Sequence, residues 1–148
     1  MPRHGFLRVS AATPELRVAD CRFNARQIVA MLRQAQAEGS GVVVFPELSL
    51  TGYTCADLFH HGTLLSDAVE GLRPVLDTTR EGFAGVAVVG LPLVVDDQVF
   101  NCAVVLHRGN ILGVVPKSFL PNYKEFYEAR WFAPAATRSE ERRVGKEC

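Results

Sequence analysis

Several things are scarce or absent in this sequence, and each absence removes a class of function. There is no excess of charge: sixteen Lys and Arg offset sixteen Asp and Glu, for a formal net charge of zero. Without a basic surface, neither nucleic acid nor an anionic membrane finds an electrostatic footprint. No apolar run approaches the roughly 18 residues of a membrane span. The opening MPRHGFLRV also lacks the apolar segment of a signal peptide. The expectation is a cytoplasmic chain with no nucleic-acid and no membrane partner. Cysteines are few and scattered (Cys21, Cys55, Cys102, Cys148), with no C-x-x-C pair and no histidine at ligand spacing. That pattern fits neither a disulfide framework nor a zinc site, so no metal is expected. The first three cysteines read as buried or half-buried thiols in a reducing compartment. His60 and His61 are adjacent and point apart in any regular element, which argues against a shared ligand site. No internal repeat or low-complexity segment is visible.

What is present describes an ordinary globular chain. Its 148 residues match one average domain. Hydrophobic residues at 48% and charged residues at 22% are the balance of a folded protein. A first strand is expected over Phe6–Ala12, closed by Thr13 and Pro14. Asp20 suits a helix N-cap. Phe23, Ile28, Leu32 and Ala35 then recur at helical spacing, and Gly39 and Gly41 stop the helix. Val42–Phe45 is an unbroken run of mostly β-branched residues, the pattern of a strand buried on both faces. This β-α-β opening predicts parallel strands and a right-handed crossover.

Beyond it, one helical turn is expected within Cys55–His61. A second amphipathic helix follows from Leu64 to Leu76, with Pro74 as a kink point and Gly82 and Gly85 at its end. Val86–Val95 reads as a buried strand broken at Gly90 and Pro92. Asp96-Asp97 turns the chain into an antiparallel partner over Val99–His107. A tight turn at Arg108-Gly109-Asn110 leads to a third strand, Ile111–Val115. Two β-α units feeding a meander make an α/β or layered α+β fold.

The chemistry gathers at two strand ends. Val42–Phe45 stops at Pro46, which has no N–H for a ladder, and the next residue is Glu47. Ligand sites in open α/β sheets lie beyond the carboxyl ends of strands. Ile111–Val115 stops in the same way at Pro116, and Lys117 follows. One device thus delivers a carboxylate and an ammonium. On residue type alone the pair reads equally as a surface ion pair contributing about 0–1 kcal/mol. The functional reading is a general base with an oxyanion-stabilising cation, as acyl transfer requires. Tyr123, Phe126 and Tyr127, taken alone, read as an aromatic cluster packing a loop.

FPELSLTGY around Glu47, followed by a strand-borne PKS at Lys117, resembles the nitrilase or carbon–nitrogen hydrolase superfamily. HRGNILGVVPKSFLPNYKEFYEARWF narrows the resemblance to the glutaminase domains of glutamine-dependent NAD synthetases. HGFLRVSAATPELRVAD and VVGLPLVVDDQVFNCAVVLHRG fit the same family, so the likeness runs from His4 to Pro134. It implies an αββα sandwich of which this chain carries the first half. It also implies Glu47 as general base and Lys117 as oxyanion stabiliser. Tyr123 and Phe126 would stand beside the substrate L-glutamine, and Glu125 or Glu128 would support the lysine. The ammonia released would pass to a separate synthetase domain that amidates nicotinate adenine dinucleotide. The glutaminase half would need no cofactor, ATP and Mg belonging to the synthetase half, and the parent would be a homo-oligomer.

The chain departs from the family in one respect. The family's nucleophilic cysteine lies beyond residue 134 in a C-E-D-like context, and no cysteine here stands at a strand end after Lys117. The expectation is therefore a truncated glutaminase domain over 1–137, inactive by itself. Its apolar runs Val42–Phe45, Val86–Val95 and Val99–Leu106 would be left with unpaired edges. The string RSEERRVGKEC over 138–148 packs seven charged residues into eleven and reads as a foreign tail. Two other readings remain: a free-standing amidase of the same superfamily, and a non-catalytic module that binds a small amide or a partner.

Overall fold

In the computed structural model, residues 5–138 are described; His4, Cys148 and most of the charged string over 138–148 lie outside them. Local chemistry sets the first helix, α1 (Cys21–Ala37). The Asp20 carboxylate accepts from the Phe23 amide at 2.9 Å and caps it as expected. Ile28, Leu32 and Ala35 form its buried stripe. The second helix, α2 (Gly62–Glu81), starts earlier than its apolar stripe and runs through Pro74 to end at Gly82. A 3₁₀ turn at Ala56–His60 supplies the short helical element before it.

Five strands follow the predicted order: β1 (Val9–Ala11), β2 (Val42–Val44), β3 (Val86–Val95), β4 (Gln98–His107) and β5 (Asn110–Pro116). They form one mixed sheet in the order β1-β2-β3-β4-β5. β1, β2 and β3 are mutually parallel, and β3, β4 and β5 run antiparallel. Asp96-Asp97 and Arg108-Gly109 are two-residue hairpin loops with positive φ at both positions. That backbone matches the twist of the strands it joins. The helices pack against each other and against one face of the sheet. There Ile28, Leu32 and Val75 meet Val43, Val89 and Leu106 in the core. No helix among the described residues is long and apolar enough to cross a membrane.

Three expectations about the strands are corrected. The first strand is three residues rather than seven, because Phe6 and Leu7 lie in solvent and pair with nothing in the sheet. β2 is buried on one face only: Val43 is fully covered while Val44 is 46% exposed. β3 is continuous through Gly90 and Pro92. β2 pairs with it only as far as Val88, so Pro92 sits where β3 has no neighbour on that side, a position a proline can occupy. In the sheet order β1 and β5 are the outer strands, and β3 and β4 each have a second neighbour over part of their length only, β3 over Val86–Val88 and β4 over Cys102–His107. Besides those stretches, a whole face of the sheet stays uncovered. Val9, Val44 and Val115 point to that side, opposite the helices.

Candidate active site

Glu47 is positioned by the close crossing of two backbones. After β2 the chain turns through Leu48, whose φ is 52°, and passes directly over Gly90 of β3. A Cβ at position 90 would lie 2.4 Å from the Leu48 nitrogen, so only glycine permits the crossing. The Leu50 amide donates to Gly90 O at 3.1 Å, and the Gly90 amide donates to Ser49 Oγ at 3.2 Å. These bonds hold the loop down and send Glu47 over the open face. Lys117 arrives from the other side, its backbone amide donating to Asn101 O at 2.8 Å one step past the β5 proline.

There the side chains converge. Lys117 Nζ donates to Glu47 Oε1 at 2.8 Å and to Glu128 Oε1 at 3.0 Å. Glu128 is 1% exposed, and its Oε2 accepts from the Tyr53 hydroxyl at 2.9 Å. Asn101, itself buried, donates from Nδ2 to Glu47 Oε1. Burial pulls the Lys117 pKa down, but hydrogen bonds to Glu47 and Glu128 and their charges outweigh it, leaving the pKa above the ordinary lysine value. Burial pushes the Tyr53 hydroxyl up to about 12, with the bond to Glu128 adding to it. At neutral pH the site therefore holds a fixed ammonium and a neutral phenol. Glu47 and Lys117 line a trough of about 580 Å³ together with Val44, Val88, Ala103 and Val115 of the open face.

The segment bearing Glu128 is fastened from outside. Arg130 donates to both oxygens of Asp57, at 2.7 and 2.9 Å, and the Trp131 indole donates to Asp57 Oδ1 at 3.0 Å. The Arg130 bonds, helped by Trp131, hold the Asp57 carboxyl well below the usual range. Phe59 packs on Phe132 with ring centroids 4.9 Å apart. The 3₁₀ turn at Ala56–His60 thus grips the 3₁₀ turn at Glu128–Arg130.

Glu47, Lys117 and Glu128 are brought together, and the choice left open between Glu125 and Glu128 falls to Glu128: Glu125 is exposed and is not a partner of Lys117. Tyr123 and Phe126 contact each other with centroids 6.0 Å apart. They do not line the trough, where Ser118 and Phe119 stand instead. The described cysteines are buried and free. Cys102 is opposite Leu91 on the helix-facing side of the sheet, and burial pushes its thiol up to about 11. Burial likewise raises Cys21, to about 12, and Cys55. None of the three is an activated thiol. No cluster of His, Cys, Asp and Glu among the described residues could hold a metal ion.

Sequence reasoning missed Asn101, Tyr53 as a partner of Glu128, and the Asp57 clamp. A signal existed for Asn101, since an amide in the middle of VFNCAVVL must find a partner when buried.

A profile of the carbon–nitrogen hydrolase family matches residues 8–145. The glutamine-dependent NAD(+) synthetase of Mycobacterium tuberculosis (strain H37Rv) is 46% identical over 132 residues, covering 89% of this chain and 19% of its own length. Among solved structures, a glutamine-dependent NAD(+) synthetase from Cytophaga hutchinsonii superposes with a TM-score of 0.78 at 26% identity, over 86% of this chain and 22% of that one. An amidase from Nesterenkonia shares the fold with a TM-score of 0.75 at 21% identity, over 90% of this chain and 50% of the amidase. This chain spans about a fifth of the length of the curated NAD synthetases it matches. It belongs to the carbon–nitrogen hydrolase family.

Proposed function

We propose that the chain forms the N-terminal part of a glutaminase domain serving a cytoplasmic glutamine-dependent NAD synthetase. The observation that carries this is the ion triangle of Glu47, Lys117 and Glu128, two of whose members line an apolar trough. It sits in a chain 46% identical to such synthetases.

In this reading a cysteine thiol from the downstream part of the domain gives its proton to Glu47, and the thiolate attacks the carboxamide carbon of L-glutamine. The carbonyl π electrons move onto oxygen, and the Lys117 ammonium stabilises the negative charge there. Collapse of the intermediate expels ammonia, with the proton on Glu47 returned to the leaving nitrogen. Water then hydrolyses the thioester to glutamate. A positioned base contributes about 10²–10⁴-fold and an oxyanion donor about 10²–10³-fold. Glu128 and Tyr53 keep Lys117 charged and aimed. The ammonia passes to a synthetase domain that uses ATP and Mg to activate nicotinate adenine dinucleotide.

The test separates the two halves of the reaction in the full-length protein. Glu47→Gln and Lys117→Ala should abolish NAD formation driven by glutamine while leaving NAD formation driven by free ammonium salts near the wild-type rate. Glutamine-driven rates within a few-fold of wild type in either variant would overturn the assignment. Retention of amide hydrolysis with no synthetase activity in the parent would favour a free-standing amidase.

A further inference from the structure

Two donors converge on one oxygen of Glu47. Lys117 Nζ lies 2.8 Å from Oε1, and Asn101 Nδ2 donates to the same atom. Among the described residues no hydrogen bond reaches Oε2. Asn101 is suited to hold the carboxylate because it cannot move independently of the sheet. It is 4% exposed, it sits in β4 opposite Pro92, and its own carbonyl accepts the Lys117 amide at 2.8 Å. The residue that steers Glu47 is thus tied by its backbone to the residue that neutralises it. A lysine on a flexible stem fixes a distance but leaves the carboxylate plane free to turn. A second donor on the same oxygen removes that rotation.

We propose that Asn101 is a positioning residue that pins Glu47 Oε1, so that the proton taken from the nucleophile goes to Oε2. The inference rests on the glutaminase reading above. In the step it governs, the S–H bond breaks, its proton forms a bond to Oε2, and the electron pair stays on sulfur. Both donors remain on Oε1 throughout, so the base neither rotates nor loses its partners as it protonates. Orientation of this kind acts on the reaction more than on substrate binding.

The test uses the full-length protein with Asn101→Asp, which keeps the side-chain shape but loses the donor, and Asn101→Ala, which loses it without adding charge. Both should lower kcat for glutamine hydrolysis by roughly tenfold to a hundredfold, the range expected for one charge-assisted hydrogen bond. KM should stay within about twofold and ammonia-driven NAD formation should be unchanged, which a general loss of structure would not allow. Wild-type kcat in both variants overturns the proposal. So does a loss confined to Asn101→Asp, since that reports repulsion rather than a missing donor. So does a parallel fall in the ammonia-driven rate. Glu47→Gln runs alongside: if it too stays active, the glutaminase reading fails; if it alone is inactive, only the role of Asn101 fails. Should either variant fail to fold by circular dichroism, Asn101→Ser is read in the same assay against the same outcomes.

Discussion

The two faces of the sheet are made of the same kinds of residue and come to opposite ends. On the helix side Val43, Ala87, Val89, Leu91, Val104 and Leu106 are each 1% exposed or less. On the other side Val9, Val44 and Val115 are 66%, 46% and 59% exposed, and that surface runs directly into Glu47, Asn101 and Lys117. The covered face holds the fold together, since burial removes apolar area from water at roughly 25 cal/mol per Å². The open face is the floor of the candidate site and an apolar surface suited to further packing. Hydrophobicity does not by itself say which of these a residue serves.

The largest expected effect tests the covered face. Leu106→Ala should destabilise the chain by about 2–5 kcal/mol in urea denaturation, through lost burial and a residual cavity. Val115→Ala on the open face should change stability by less than about 0.5 kcal/mol. Equal losses would break the distinction. Next, Lys117→Met should cost about 1–3 kcal/mol, because it strips the cation from a carboxylate that is 1% exposed and leaves it, among the described residues, the Tyr53 hydroxyl as its side-chain partner. Adding Glu128→Gln should recover part of that loss in the same denaturation experiment, and no recovery would mean the burial of charge is not the cause.

Alkaline pH should act mainly on the groups whose pKa the fold raises. Cys21 and Tyr53 are pushed up to about 12 and Cys102 to about 11, while Lys117 is held above its ordinary value. A folded-state pKa above the unfolded one contributes stability that is complete below the unfolded value and is lost as pH rises through the folded value. Thermal melts should therefore show the melting temperature falling steadily above about pH 9, the unfolded thiol range, and a rise there would contradict these environments. The smallest effect on stability should come from Val44→Lys with Val115→Lys. This pair should cut ANS binding and self-association by size exclusion while moving the melting temperature by only a few degrees. Unchanged dye binding would show that the open face is not the sticky surface.

Much of the fold was legible because its signals are local. The Asp20 cap, the stripe Ile28-Leu32-Ala35 and the two hairpin loops follow from neighbours within a few residues, and the strand order from pairing of consecutive elements. The strand breaks expected at Gly90 and Pro92 misled. Gly90 reports the loop at Glu47 passing over β3, a contact invisible along β3 itself. The burial of β2 on both faces also misled, since an apolar run marks what could be covered and not what is.

By itself the sequence determined that Glu47 and Lys117 would each follow an apolar, β-branched strand and a proline, because such runs favour strands and a proline offers no N–H to a neighbouring one. It also placed the chain in its family. Only the tertiary structure decided that Glu128 rather than Glu125 meets Lys117, that Tyr53 reaches Glu128 across 75 residues, and that Asn101 joins Glu47 across 54. These contacts depend on strand register and on where a clamped loop comes to rest. Both are set by packing between distant segments, and no window of neighbouring residues contains them.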